Sequence, residues 1–343
     1  MRFSRLCGAV IAAAALLAAS ACSSTGAAEP AGGDGGAGFP ITIEHALGST
    51  TISQKPERVA TVAWSNHEVP LALGIVPVGM SEATWGDDDG DGVLPWVEQK
   101  LDELGAETPV LFDETDGIDF EAVAETEPDV ILAAYSGLSS EEYETLSKIA
   151  PVVAYPETPW GTSLEAMIAL NSEALGLADE GAALTAELRS TTEQALAEHP
   201  ELSGTKALFA FMNPSDLSKI GFYTVHDTRP GFLADLGLPQ PDAVERETAG
   251  TDEFYIEYSS DLADRFSDVD VFVTYGDADG DLVEQLRADP LISQIPAVAQ
   301  GRIAILEDDT PLAASANPSP LSIGWGIGEY FAVLAQAAAE SGA

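Results

Sequence analysis

Positive charge is what this sequence most clearly lacks. Lys and Arg account for 14 of its 343 residues, against 57 Asp and Glu, so the formal net charge at pH 7 is −43. Such a chain repels the phosphates of nucleic acids and of anionic lipids, and we therefore expect no nucleic-acid partner. Hydrophobic residues make up 45% of the sequence, which indicates a folded protein with a solvated acidic surface.

Cysteine and histidine are also scarce. The sequence has 2 cysteines, and Cys7 falls in the leader described below, so we expect one cysteine and no internal disulfide in the mature chain. The 4 histidines are scattered along the chain, at His45, His67, His199 and His226. Direct capture of zinc or manganese needs several histidines close together, and this spacing argues against it.

Long apolar runs are limited to one near the N-terminus. Arg2 and Arg5 precede an apolar stretch over residues 6–19, and small residues follow it up to Cys22. This order is typical of a secretory signal, and the stretch is too short for an ordinary membrane span. We predict a signal peptide over residues 1–21. Cysteine directly after small residues looks like a lipobox, which predicts a lipid on Cys22 that anchors the protein outside the cell. Ordinary cleavage nearby is the alternative.

Residues 22–38 are rich in Gly, Ala and Ser. A segment of this composition cannot bury a core, so we predict a flexible tether between the lipid and the folded part.

After the tether, the chain alternates short apolar strands with helical segments. A strand over Val130–Ala134, a helix over Glu141–Ile149 and a strand over Val152–Tyr155 are joined by short connections, which predicts parallel pairing. The sequence from Phe120 to Gly137 has a counterpart from Leu262 to Gly276: a helix, an acidic turn, an apolar strand, then Tyr and a small residue. We predict an α/β protein with two lobes, each with a mostly parallel sheet flanked by helices.

The stretch from Thr162 to Pro200 has no strand pattern. Thr162 and Glu165 have capping-box spacing, and the chain can break between Gly176 and Asp179. We predict two helices, of which the second, at about Glu180 to Glu198, spans the lobes. The predicted domains are residues 39–178, an interdomain helix over 179–200, and residues 201–343. One stiff helix would resist wide closure, so we expect a cleft that is largely formed before a ligand arrives.

Several aromatic residues follow predicted strands. Ligands of parallel sheets lie outside the carboxyl ends of the strands, so these side chains can face one cleft between the lobes. Core packing is the alternative for an aromatic residue, and an ion pair with Asp227 or Asp235 is the alternative for Arg229. The candidate ligand-binding residues are Trp64, Asn66, His67, Trp85, Tyr135, Trp160, Tyr223, Arg229, Tyr275 and Trp325.

An acidic loop has the spacing of a calcium-binding EF-hand loop. Its candidate ligands are Asp87, Asp89, Asp91 and Glu98, with Gly92 at the sixth position. No predicted helix enters the loop, and so acidic a chain produces this pattern by chance. A solvated loop at the cleft rim is the interpretation that we favour.

Enzyme motifs are missing. There is no G-x-S-x-G, and the S-x-x-K match at Ser203–Lys206 lies in a predicted turn before a strand. Paired carboxylates of a glycoside hydrolase cannot be recognised in so acidic a chain. Hydrolase and structural envelope lipoprotein are therefore alternatives, and the aromatic cleft argues against the second.

Three segments resemble one family. Residues 55–59 (KPERV), 72–79 (ALGIVPVG) and 127–131 (EPDVI) are similar to the iron-siderophore class of periplasmic binding proteins, which is related to the vitamin B12 and haem receptors. The resemblance implies a monomeric receptor that passes a ferric siderophore to the membrane permease of an ABC importer. It implies no permanently bound cofactor, because the siderophore's oxygens already satisfy the iron. A haem or corrinoid ligand is the alternative, with His67 or His226 as an axial ligand of haem.

The resemblance also implies one carboxylate on each lobe that meets permease arginines. In the first lobe the matching residue is Glu121. In the second lobe Asp261 matches by position and Glu257 by residue type. Such charge pairs steer and orient a complex more than they strengthen it.

Overall fold

The computed structural model describes residues 38–278 and 280–340. The predicted signal peptide and Cys22 lie outside the described residues, as does nearly all of the tether. The described residues all belong to one compact unit, Gly35–Ala343. Within them, no helix has both the length and the apolar character that crossing a membrane requires.

The first lobe contains a two-stranded antiparallel hairpin and a five-stranded sheet. In chain order its elements are β1 (Ile41–His45), β2 (Gly48–Ile52), β3 (Val59–Thr61), α1 (Glu68–Ala72), β4 (Gly79–Ser81), α2 (Pro95–Leu104), β5 (Val110–Phe112), α3 (Phe120–Glu125), β6 (Val130–Leu132), α4 (Ser140–Leu146), β7 (Val152–Val153) and α5 (Leu164–Ala174). The sheet has the order β5-β4-β3-β6-β7, and every pair in it is parallel.

The helix α6 (Ala178–Ala197) leads to the second lobe. The elements of this lobe are β8 (Ala207–Phe211), β9 (Lys219–Tyr223), α7 (Thr228–Asp235), α8 (Asp242–Thr248), β10 (Tyr255–Ser259), β11 (Val271–Gly276), α9 (Leu282–Ala288), α10 (Pro296–Ala299), β12 (Ile303–Glu307), α11 (Pro311–Ser315) and α12 (Ser322–Ala339). Short 3-10 helices lie at Pro200–Leu202, Ser260–Phe266 and Ile292–Gln294.

The second sheet repeats the plan of the first. Its order is β10-β9-β8-β11-β12. The strands β8, β11 and β12 pair in parallel, whereas β9 pairs antiparallel with β8 and with the edge strand β10. The strands β6 and β11 therefore occupy equivalent places, each beside the first parallel strand of its lobe. The predicted fold class, two lobes with mostly parallel sheets on a long connecting helix, is confirmed.

The connecting helix α6 is 20 residues long and spans about 30 Å at 1.5 Å per residue. It packs against α5 of the first lobe and α12 of the second. Gly181 lies against α5, where a Cβ atom would come 2.0 Å from the Ser172 hydroxyl oxygen, so the two helices approach too closely for any other residue. The helix begins at Ala178, two residues before the predicted start.

The predicted capping box at Thr162 is wrong. Ser163 is the N-cap of α5, and its hydroxyl accepts a hydrogen bond from the Ala166 amide at 3.2 Å. Thr162 is buried instead, and its hydroxyl donates to the Ala134 carbonyl at 2.7 Å. The Thr162 hydroxyl therefore satisfies the buried Ala134 carbonyl after β6 and does not cap the helix, because a buried carbonyl needs a hydrogen-bond donor.

One apolar cluster belongs to both lobes. It joins Val69 and Met167 of the first lobe to Phe209, Val273 and Phe331 of the second. Separating the lobes would expose this cluster to water, at a cost of roughly 25 cal/mol for each Å². The cluster therefore opposes hinge opening.

Candidate functional site

Tyr135 is buried where the two lobes meet. It follows β6, its side chain is buried, and its hydroxyl lies 3.3 Å from the Thr228 hydroxyl at the start of α7. The Asn317 side-chain amide of the second lobe donates to the same hydroxyl at 3.2 Å. Burial raises the pKa of Tyr135, so the phenol keeps its proton. A residue of the first lobe is thus hydrogen-bonded to two residues of the second.

Arg229 lies in the first turn of α7 and is fixed from several sides. Its Nε and Nη2 atoms donate to the two carboxylate oxygens of Asp227 at 2.7 and 2.6 Å. The guanidinium carbon stacks 3.7 Å from the ring centroid of Tyr223, and Nη1 donates to the Tyr275 hydroxyl at 3.3 Å. Burial opposes the charge, but the hydrogen bonds with Asp227 raise the pKa of Arg229. The side chain is therefore a rigid, permanently charged donor.

Trp85 contacts two residues of the second lobe. Its ring meets the Tyr275 ring edge-on, with centroids 5.6 Å apart, and its indole nitrogen donates to Asp308 at 3.2 Å. The neighbouring Gly86 amide donates to Asp309 at 2.8 Å. A loop of the first lobe is thus tied to the loop after β12 in the second.

Trp160 packs against Tyr135. Its ring meets the Tyr135 ring edge-on, with centroids 5.4 Å apart. The Trp160 backbone has a φ of +58°, an unfavourable left-handed conformation for this residue. Gly137 lies directly beneath it, where a Cβ atom would come 2.1 Å from the indole nitrogen. Backbone strain that the surrounding structure maintains in this way is often found at ligand sites.

Two further aromatic residues, Phe211 and Tyr255, lie on the same side of the second sheet as Tyr275 and Tyr223. The sequence did not predict them as candidate ligand-binding residues. Phe209 pairs with Val273, so Phe211 and Tyr275, two residues further on, face the same side. Tyr255 pairs with Tyr223, and their ring centroids are 5.2 Å apart. The side chain of Phe211 is 49% exposed, which is unusual for a residue of its size. The positions of these two rings follow from the pairing of the strands, which the sequence alone does not show.

The candidate docking carboxylates occupy equivalent positions in the two lobes. Glu121 is exposed in the first turn of α3, which precedes β6. Asp261 is exposed in the 3-10 helix Ser260–Phe266, which precedes β11. Glu257 lies instead within β10, where Lys219 donates to it at 2.9 Å. The topology therefore favours Asp261 as the counterpart of Glu121.

A model of the periplasmic binding protein family matches residues 59–310. This chain belongs to the periplasmic binding protein family. The match extends from β3 to the residue before α11, so it covers both sheets, α6 and the cleft between the lobes.

Individual proteins resemble this chain in sequence or in structure. The chain is 29% identical over 241 residues to the probable siderophore-binding lipoprotein YfiY of Bacillus subtilis, an alignment that covers 68% of this chain and 67% of that protein. It is 46% identical to PiaA of Streptococcus pneumoniae in complex with ferrichrome, with a TM-score of 0.84 over 88% of this chain and 99% of that one. A periplasmic solute binding protein of Mycobacterium smegmatis is 25% identical, with a TM-score of 0.69 and coverage of 87% and 98%.

In this periplasmic binding protein, Asn66 is part of the scaffold. The side chain is fully buried, and its amide nitrogen donates to the Tyr135 carbonyl at 2.8 Å, while its oxygen accepts from the Tyr135 amide at 3.0 Å. Asn171 of α5 donates to the same oxygen at 3.1 Å. Asn66 thus holds Tyr135 in place, and its polar atoms are occupied.

His67 and Trp325 also lie apart from Arg229. His67 is buried, and desolvation lowers its pKa to about 4. It lines a small cavity with Trp64, which is half-buried after β3. Trp325 packs against Trp96 with ring centroids 5.2 Å apart, in a groove beside α6. The structure thus brings Tyr135, Trp160, Tyr223, Arg229, Tyr275 and Trp85 together but places Trp325 in a separate groove.

The acidic loop folds around its own first carboxylate. Asp87 accepts hydrogen bonds from the amides of Asp89, Gly90 and Gly92 at 3.1, 3.0 and 2.7 Å. One carboxylate oxygen from each of Asp87, Asp89 and Asp91 can lie within 4.8 Å of the others. Partial burial and the charge of Asp91 raise the pKa of Glu98. Backbone amides already occupy part of this oxygen set, and calcium binding stays a prediction.

Proposed function

We propose that this periplasmic binding protein captures a ferric siderophore between its lobes and delivers it to the permease of an ABC importer. The observation that carries the proposal is Arg229, a fixed charged donor set among the rings of Tyr223, Tyr275 and Trp85. The pneumococcal relative has been crystallised with ferrichrome, and the B. subtilis relative is named as siderophore-binding.

The chemistry of the ligand suits this cleft. A siderophore surrounds its iron with its own oxygens, so the receptor needs donors to those oxygens and apolar walls, and no metal ligands. A guanidinium has five N–H groups, of which Asp227 takes two and Tyr275 one. The others can donate to hydroxamate, catecholate or carboxylate oxygens, and such charge-assisted hydrogen bonds are the stronger kind.

The predicted cellular arrangement completes the proposal. A lipid on Cys22 and the tether over residues 22–38 would hold the receptor outside the cell, near its permease. The lobes, over residues 39–178 and 201–343, would present Glu121 and Asp261 to that permease. Both carboxylates are exposed and lie at equivalent places in the fold, as docking to a two-fold symmetric partner requires.

The two histidines considered as haem ligands are both engaged or buried. The pKa of His67 is lowered to about 4 by burial, and His226 Nε2 lies 2.9 Å from the Thr251 carbonyl. The cavity beside His67 is small, so a haem would have to displace the surrounding side chains to reach its ring. The buried position of His67 therefore favours the siderophore over haem.

A titration tests the proposal. Ferrichrome should quench the intrinsic tryptophan fluorescence of the protein, whereas haem and cobalamin should not. The substitution Arg229→Lys keeps the charge but loses the planar fork, so the dissociation constant should rise by about tenfold or more. Arg189→Lys, on the exposed face of α6, is the matched control and should leave the affinity unchanged. Turnover of an ester or glycoside, without a response to any iron chelate, would overturn the proposal.

A further inference from the structure

Asp227 and Arg229 form a buried ion pair with more hydrogen bonds than an ordinary surface ion pair has. It is 2% exposed, and it accepts hydrogen bonds from the backbone amide, Nε and Nη2 of Arg229 at 2.9, 2.7 and 2.6 Å. The pair is two residues apart on the same helix start, with Asp227 as the N-cap of α7. The charge that Arg229 brings to the cleft is therefore cancelled within hydrogen-bonding distance.

The second cation beside the cleft is also paired. Lys219 lines one cavity with Phe211 and Tyr255, and its ammonium is 2.9 Å from the Glu257 carboxylate. Two further carboxylates, Asp308 and Asp309, accept hydrogen bonds from Trp85 and Gly86 on the other side. Among these named residues, Asp227 and Glu257 balance the two cations, and Asp308 and Asp309 leave a net negative charge.

Siderophore classes differ in charge. Three singly charged hydroxamates cancel the charge of iron(III), so a ferric trihydroxamate is neutral, or positive if it carries an amine. Three doubly charged catecholates leave a triply negative complex. A cleft with net negative charge repels the second class across a low-dielectric gap, where Coulomb energies exceed those in water several-fold.

We propose that Asp227 is a specificity-determining residue, which cancels the charge of Arg229 so that the cleft accepts neutral or cationic ferric hydroxamates and rejects anionic ferric catecholates. The inference rests on the proposed function and adds the ligand class and the residue that sets it. Arg229 still donates hydrogen bonds through its remaining N–H groups. It binds ligand oxygens as a polar donor, without presenting a net positive charge to the complex.

The test compares two ligands on one set of variants. Ferrichrome is the neutral probe and ferric enterobactin, a tris-catecholate, is the anionic one. The wild-type protein should bind ferrichrome at least about 100-fold more tightly. Asp227→Asn keeps an N-cap side chain but removes the charge, so it should narrow this preference by about tenfold or more.

Two further variants separate charge from shape. Asp235→Asn removes a carboxylate from the exposed end of the same helix and should leave the preference unchanged. The double variant Asp227→Asn/Arg229→Gln has the net charge of the wild type, so the preference should return even though both affinities fall. If shape set the preference, the double variant would behave like Asp227→Asn or worse.

The outcomes also distinguish this inference from the proposed function. Binding of neither complex to the wild-type protein would reject the proposed function itself. If the wild type binds ferrichrome and Asp227→Asn leaves the preference unchanged, the function stands and the role of Asp227 is wrong. Tight wild-type binding of ferric enterobactin would also reject the inference.

Discussion

Among single residues, Glu68 has the least expected position. It lies at the start of α1, is 1% exposed, and accepts hydrogen bonds from the Trp96 indole and the Leu321 amide, both at 2.8 Å. Leu321 is the N-cap residue of α12, so a carboxylate of the first lobe satisfies a helix N-terminus of the second. Desolvation nevertheless raises the pKa of Glu68 to about 7.

This raised pKa predicts a pH effect on stability. The unfolded carboxyl has a pKa of 4.5, so between pH 4.5 and about 7 the folded protein binds the extra proton. Stability from this group is therefore greatest below that window and is lost as the pH rises through it. From pH 4.5 to 8 the loss is roughly 3 kcal/mol at most, at 1.36 kcal/mol per pKa unit.

The measurement is urea unfolding of the wild type and of Glu68→Gln at several pH values. The wild-type free energy of unfolding, relative to that of the variant, should fall as the pH rises. Glu125→Gln, at an exposed site on α3, should give a difference that does not vary with pH. The comparison removes the opposite contribution of His67, whose lowered pKa makes stability rise with pH between about 4 and 6.5. A constant difference for Glu68→Gln would contradict the assignment.

At the scale of elements, the turn after β6 leaves the space that Trp160 occupies. Gly137 leaves room for Trp160, which in turn packs against Tyr135. In Gly137→Ala, the new methyl group would displace the indole ring from this position. We expect an affinity for ferrichrome that is several-fold lower, with a small change in stability, because the Gly137 backbone conformation suits alanine.

Fluorescence titration measures the affinity, and urea unfolding measures the stability. Gly328→Ala on α12 is the matched control, because a Cβ atom there meets no other atom within 4 Å. It should leave ferrichrome binding unchanged. Equal affinities for Gly137→Ala and Gly328→Ala would show that Trp160 has no role in binding.

The elements that the sequence predicted well are those with a strong apolar run. The strand over Val130–Ala134 contains β6, and the helix over Glu141–Ile149 overlaps α4. The edge strands β5 and β10 were missed, because β5 has three residues and β10 includes the exposed, charged Glu257. An edge strand buries too little of either face to show a clear alternation of apolar residues.

The positions of the candidate binding residues were predictable only where a strand end alone decides them. Tyr135 and Tyr275 follow parallel strands, and each contacts a residue at the start of α7. Trp325 was misplaced, because the face of α12 that it occupies depends on how α6 packs beside it. The positions of Phe211 and Tyr255 depend on the pairing of β8 with β11 and of β9 with β10, which a single sequence does not encode locally.

At the scale of the whole molecule, the two docking carboxylates give a separate prediction. The double variant Glu121→Ala/Asp261→Ala should bind ferrichrome as the wild type does, because both residues are exposed and away from Arg229. Uptake of ferrichrome by whole cells should be lost, since each carboxylate is expected to meet a permease arginine.

Glu125→Ala/Asp264→Ala provides the control, because it removes one exposed carboxylate from each of the same two helices. Cells with this control variant should keep their uptake. Persistent uptake with Glu121→Ala/Asp261→Ala would show that other residues dock the permease.

The apolar cluster shared by the lobes also affects how receptors compete. Because Val69 and Met167 of one lobe pack with Phe331 of the other, we expect an empty receptor to keep nearly the outline of a loaded one. Under the proposed docking, empty receptors occupy permeases as well, and the import rate follows the loaded fraction of the receptor pool and not the number of receptors. Making more receptor at a fixed supply of siderophore would then slow uptake.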